Sequence, residues 1–180
     1  MPRNLRYIPL LSVLFLGLVT GLLYSFFCAV MPGMHELNDA EFIGAMQSIN
    51  LRIQNPWFLS IFIGLLILLP VSIILCYRTK RKRSTAFFLA AFLVYFMGVI
   101  GTTALGNIPL NNELAKLDLK AMNPDLIIAA RHHFEGSWNQ YHILRTFAAI
   151  LSFILGLIAL MQLSNNTDTS YEKTTSLQHQ

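Results

Sequence analysis

His142 and Arg145 stand three residues apart in the stretch WNQYHILRTF, residues 138–147, and of all the side chains in this sequence they are best suited to move a proton and hold the charge it leaves. Imidazole has an unperturbed pKa of about 6.5, which makes His142 the first candidate for a general base, with Glu41 and His35 behind it. Arg145, or the amides of Asn107 and Asn111, are the candidate donors to an oxygen that gains negative charge. The bland reading of His142 is purely structural, and it is the commoner one for a lone histidine at an interface. Arg145 also has two readings. At the centre of a membrane helix it costs about 2.5–3.5 kcal/mol, so it either snorkels outward to water or turns inward to Asn107, Asn111, Glu113 or Glu41.

A second polar cluster, GNIPLNNELAKLD at 106–118, directly follows an apolar run. Its simplest role is local: Asn107 caps the end of a helix while Pro109 and Asn111 make a turn. Its sharper role is to furnish one wall of a polar pocket. Trp138, Trp57, Met46, Met34 and Phe42 are the candidate apolar and aromatic walls around it.

The elements that must position these residues are legible in the composition. A hydrophobic fraction of 54% with 12% charged residues is too apolar for a soluble domain. Four runs, at about 7–30, 57–77, 85–106 and 141–163, reach the roughly 20 residues a helix needs to cross a bilayer. The first run is too long for a cleaved signal peptide and lacks a small-x-small cleavage site, so it is read as a retained helix. The expected fold is all-α: an integral membrane four-helix bundle over 1–163, with an outer amphipathic helix and a second helical outer loop, followed by a disordered polar cytoplasmic tail at 164–180.

RTKRKR, Arg78 to Arg83, carries five basic residues and no acid, so it is expected at the cytoplasmic face, with both termini inside and the loops 31–56 and 107–140 outside. The net charge of +4 then implies no nucleic-acid partner. Membrane lipids, a hydrophobic small molecule and a second copy of the chain are the partners that fit. Cys28 and Cys76 lie near opposite ends of their helices, too far apart for a disulfide, and are read as buried apolar filler. No cofactor or metal is expected, since no phosphate loop, nucleophile motif or ligand spacing is present, and His132 and His133 do not share a helix face.

In the first outer loop, Asn38 followed by Glu41 predicts a cap and a helix from about Asp39 that stops before Asn55, with Phe42, Met46, Ile49 and Ile53 on one stripe. In the second, Asn123-Pro124 predicts a helix start, and Gly136-Ser137 a break before the last spanning helix. MPGMHEL and IPLNNEL share Pro, three residues, Glu, Leu, and each loop then reaches a tryptophan. This suggests two helix hairpins of one plan, whose corners meet at the outer end of the bundle.

MPGM, DAEFIGAMQSIN, NPWF, GTTALGNIPLNNELA and the aromatic-to-arginine pattern WNQYHILRTF together resemble the bacterial branch of the anthrone oxygenase-like membrane proteins, over most of residues 11–163. The resemblance implies a four-helix protein of the bacterial inner membrane. It also implies oxidation of an anthrone without metal or flavin: a base removes an acidic carbon-bound proton, a donor stabilises the enolate, and the carbanion meets oxygen. For that chemistry the candidates in this chain are His142, Glu41 and Arg145 as the catalytic set, with Asn107, Asn111, Trp138, Trp57 and Met46 as the substrate walls. Many relatives have Asn where this chain has His142. The alternative is a non-enzymatic accessory or lipid-binding membrane protein. Transport fits less well, because the spanning runs hold almost no ionisable residues.

Overall fold

The structure, a computed structural model, describes the backbone of residues 7–178 and the side chains of residues 7–163. Among the described residues every regular element is helical, and four helices are long and apolar enough to cross a membrane: Tyr7–His35, Pro56–Arg78, Lys82–Leu114 and Pro124–Leu163. The protein is a multi-pass integral membrane protein.

The first span is α1 (Tyr7–Ser25), a π-helical turn (Phe26–Val30) and α2 (Met31–His35); α3 (Asp39–Arg52) then folds back over the bundle. The second span is α4 (Pro56–Arg78). The third joins α5 (Lys82–Val94), two π-helical stretches (Tyr95–Gly101 and Thr103–Asn107) and α6 (Ile108–Leu114), and α7 (Pro124–Gln178) is the fourth. Each of α1 and α5 packs against both α4 and α7, which gives an antiparallel bundle with both long connections at one end, the loop end. The opposite end carries the basic turn. The backbone of α7 is helical through Gln178, where a disordered tail was expected from residue 164, and the side chains of 164–180 lie outside the described residues.

Two cores stack along the bundle. The lower one is apolar, with Leu16, Leu65, Leu69, Phe88, Tyr95 and Val99 at its centre. Hydroxyls tie its helices together: Ser12 to Ser72 at 2.9 Å, Thr20 to the Ala149 carbonyl at 3.1 Å, Tyr95 to the Phe62 carbonyl at 2.8 Å, and Ser152 to the Ala91 carbonyl at 2.8 Å. In an apolar surround such bonds hold helices in register. The upper core packs Phe42, Ile43 and Met46 of α3 against Leu114, Phe134 and Trp138. The stripe expected on α3 is thus turned down onto the bundle, and its start is capped as expected, Asn38 Oδ1 accepting from the Glu41 N–H at 3.0 Å.

Three expectations are corrected. The third span does not end at residue 106; it runs to Leu114, and Asn107 makes no side-chain cap. Pro109 has no N–H to continue an ordinary ladder, and the preceding turn is widened so that the Ile108 N–H reaches back five residues to the Thr103 carbonyl. Gly136-Ser137 does not break α7. A helical glycine costs only about 1 kcal/mol, which the burial of Phe134 and Trp138 on either side outweighs. Cys28, finally, is exposed rather than buried, while Cys76 is buried as expected.

Candidate functional site

One face of α7 at the loop end gathers Trp138, His142 and Arg145. The Trp138 and His142 rings stack with centroids 4.9 Å apart, and the edge of Phe26 meets His142 at 6.2 Å. Arg145 lies over the Trp138 ring, its guanidinium carbon 5.1 Å from the centroid. Its Nε and Nη2 both lie 3.2 Å from His142 Nδ1, and its Nη1 donates to Thr103 Oγ1 at 3.4 Å. Arg145 therefore turns inward, and its anchors are Thr103 and His142 rather than the asparagines. Among the described residues no carboxylate pairs with it.

A ring nitrogen that accepts from arginine must carry its lone pair there, so a neutral His142 holds its proton on Nε2. That nitrogen is buried without a partner of proper hydrogen-bond geometry, although the Leu23 backbone interacts with the ring.

Two of the three π-helical stretches, Phe26–Val30 and Thr103–Asn107, explain the placement. Phe26–Val30 starts where Phe26 meets His142, and Thr103–Asn107 supplies Thr103 to Arg145 and Asn107 to Trp138. A widened turn rotates the side chains that follow it, which is why such turns gather at functional sites. Gly106 allows the approach: a Cβ there would stand 2.5 Å from the Tyr141 ring. Asn107 is buried, and its Nδ2 donates to the Trp138 carbonyl at 3.2 Å. Asn111 Oδ1 accepts from the Trp138 indole N–H at 2.8 Å.

A cavity of about 270 Å³ opens beside this cluster. Its walls are apolar at Leu22, Leu23, Phe26, Ile49, Ile53, Phe58 and Phe62, and polar at Thr103, Arg145, Asn111, Asn112, Asn50 and Gln54, with Trp138 between. A second groove, about 340 Å³, lies between Phe27, Met31, His35, Glu135, Asn139 and His142. His142 lines this groove, whereas Trp138 and Arg145, which it touches, line the cavity.

The structure brings together only part of the set expected from sequence. Arg145, Asn111 and Trp138 line the cavity, and His142 stands behind Arg145. Asn107 binds the Trp138 backbone outside the cavity lining. Met46 is fully buried in packing, Trp57 is 84% exposed, and Glu41 is exposed at the start of α3, so none of the three reaches the cavity.

Thr103, Asn50, Gln54 and Asn112 were missed. Asn50 and Gln54, four residues apart beside the Ile49–Ile53 stripe, were the available signal. Also missed was the buried Arg131. Its Nη groups donate to the His35 and Leu37 carbonyls at 2.8 and 2.7 Å, its Nη1 to Asp39 at 3.1 Å and its Nε to Glu135 at 2.8 Å, and its guanidinium covers Phe42 at 4.5 Å. Glu135 also bonds His35 at 2.7 Å. The Arg131–Glu135 spacing on one helix face was the sequence clue.

Residues 57–155 match the family model for anthrone oxygenase. No curated protein and no solved structure matches the chain. The matched stretch takes in α4, the third span and the part of α7 bearing Trp138, His142 and Arg145, and it covers more than half of the 180 residues. This chain belongs to the anthrone oxygenase family.

Proposed function

We propose that this membrane protein is an oxygenase acting on an apolar aromatic ketone of the anthrone type, which it receives in the cavity beside Arg145. The observation that carries this reading is Arg145 itself, a cation fronting an apolar cavity with no carboxylate paired to it among the described residues. Such a group is suited to hold an acceptor oxygen on an apolar ligand. It holds an enolate more tightly than the parent ketone, because the oxygen gains charge as the proton leaves.

On this reading the ligand oxygen draws part of the guanidinium fork away from His142. Nδ1, 3.2 Å behind it, is then free to take a proton from the methylene carbon of the ketone. The carbanion gives its electrons to dioxygen, a C–O bond forms, and the resulting hydroperoxide loses water to leave a second carbonyl. One dioxygen is consumed; one of its atoms stays in the quinone, and the other leaves as water with both methylene hydrogens. Glu41 has no part in this scheme. The five basic residues of 78–83 favour a bacterial inner-membrane topology with that turn and both termini cytoplasmic, so the cavity opens toward the far side.

The test is oxygen uptake by the purified protein in detergent with a panel of anthrones. Uptake above a denatured control is expected, one dioxygen per ketone, falling about 100-fold or more in Arg145→Gln, as for loss of an oxyanion donor. No uptake with any anthrone would favour the accessory or lipid-binding reading instead.

A further inference from the structure

The end of the bundle opposite the cavity carries a hollow of its own. Thr79, Lys80, Arg81, Lys82 and Arg83 of the turn between α4 and α5, with Gln162 of α7, line a space of about 470 Å³. Lys80, Lys82 and Arg83 are exposed and Arg81 is half-buried. Among the described residues no carboxylate forms an ion pair with any of the four. The turn joins two spanning helices through residues 79–81 alone, so its cations stand at headgroup level on whichever side of the membrane it lies. Tyr77, exposed at the end of α4, suits the same level.

Orienting the chain in the membrane needs positive charge in this loop and asks nothing of its conformation. The conformation nonetheless works against the cations. At the end of α4 the Arg81 N–H donates to the Cys76 carbonyl at 2.9 Å and the Lys80 N–H to the Tyr77 carbonyl at 3.0 Å. A cap of this kind puts one residue in the left-handed region, where glycine is usual, and that residue is Lys80, at φ 56°. No other described residue has a positive φ. Lys82 and Arg83 then fall in the first turn of α5, the positive end of its dipole, which disfavours cations. Backbone strain, helix dipole and mutual repulsion all oppose the arrangement, and one anion among the four cations offsets the last two.

We infer that the hollow at Thr79–Arg83 binds a phosphate-bearing anion, supplied by the headgroup of an anionic membrane lipid. Lysine and arginine donors gathered between helix ends at a membrane surface suit a lipid phosphate. Lipid is the source because the hollow lies where headgroups lie, and the helix ends beside it expose Ile74 and Met161 to the bilayer. The site is independent of the ketone reading of the loop-end cavity.

The experiment offers the purified full chain, in neutral detergent with about 0.15 M salt to screen distant charges, equal amounts of phosphatidylglycerol and phosphatidylcholine with the same acyl chains. The lipids retained are counted from the mass of the intact complex. Wild type is expected to prefer phosphatidylglycerol at least about ten-fold, and Lys80→Gly to lower that preference about five-fold. Glycine suits the same backbone, so the variant's melting temperature without lipid should equal or exceed that of wild type. Lys82→Gln is measured beside it and should behave alike. Arg78→Gln removes the same charge from the same turn, but Arg78 does not line the hollow, and the preference should stay within about two-fold of wild type.

Equal retention of the two lipids by wild type overturns the site. So does a loss in Arg78→Gln as large as that in Lys80→Gly, since the attraction would then belong to the turn's charge and not to the hollow. Inorganic phosphate in place of lipid is expected to leave the melting temperature unchanged. A rise that Lys80→Gly abolishes would keep the phosphate site and overturn lipid as its source.

Discussion

The two proline corners at the loop end use one backbone device for two purposes. In the first, Met31 before Pro32 donates back five residues to the Phe26 carbonyl; in the second, Ile108 before Pro109 does the same to Thr103. Each π-helical turn starts six residues before its proline, and the equivalent leucines, Leu37 and Leu114, both offer a backbone carbonyl to a long side chain from elsewhere. There the likeness ends.

The first corner is apolar toward the bundle, with Phe26, Met31 and Met34, and its free carbonyls at His35 and Leu37 are gathered by the cation Arg131. The second is polar toward the bundle, with Thr103, Asn107 and Asn111, and its carbonyls at Leu114 and Leu117 are gathered by the neutral amide of Gln47, at 2.8 and 3.0 Å. The backbone plan can be shared because helix widening before a proline depends only on the missing N–H. The side chains are free to diverge, and they divide the work between a packed wall and a polar wall.

The sharpest way to break this comparison is to remove the charged tie. Arg131→Met strands Glu135, Asp39 and two carbonyls, and should cost about 3 kcal/mol. A melting curve in detergent reads that loss, and limited proteolysis at 35–39 should show the loop freed. An unchanged melting temperature would mean that the corner holds without its cation.

Next comes the approach of the third span to α7. Gly106→Val drives a side chain into the Tyr141 ring, 2.5 Å from the built Cβ, and should cost about 1–3 kcal/mol and impair ligand binding with it. Wild-type stability in that variant would show that Tyr141 swings away freely.

The neutral tie should matter less than the charged one. Gln47→Leu leaves two carbonyls without a donor at the second corner, a cost of about 1–2 kcal/mol by the same melt. If it equals the Arg131 effect, the contrast between a charged and a neutral tie disappears. The smallest effect is expected from Glu41→Gln, since Glu41 is exposed and only its backbone N–H serves the cap. Its stability and oxygen uptake should stay at wild-type values, and a loss of uptake would return Glu41 to the reaction.

The fold was legible where a local rule acted alone. Four apolar runs of spanning length, the Asn38 cap and the stripe at Phe42 and Met46 all follow from spacing, and the structure keeps them. Sequence erred where local rules met tertiary packing. GNIPLNNEL has the composition of a turn, yet the widened backbone carries the helix through it. Gly136-Ser137 has the composition of a break, yet packing on both sides holds α7 continuous. The site was half legible for the same reason. Arg145 in an apolar run announced itself by its cost, whereas Asn50 is one amide among several in the first outer loop, and only the fold sets it at the cavity wall.

By itself the sequence determined that this chain lives in a bilayer as four helices, and it flagged Arg145, His142 and Trp138 as residues to watch, because hydrophobic length and the cost of a buried charge are properties of the chain alone. Only the tertiary structure decided that Arg145 leans on His142 and Thr103, that Asn107 serves the backbone of α7, and that α3 closes the cavity with Asn50. Those outcomes depend on which faces two widened helices present to a third. That rotation is set by proline register and close packing across the bundle, and no window of sequence contains it.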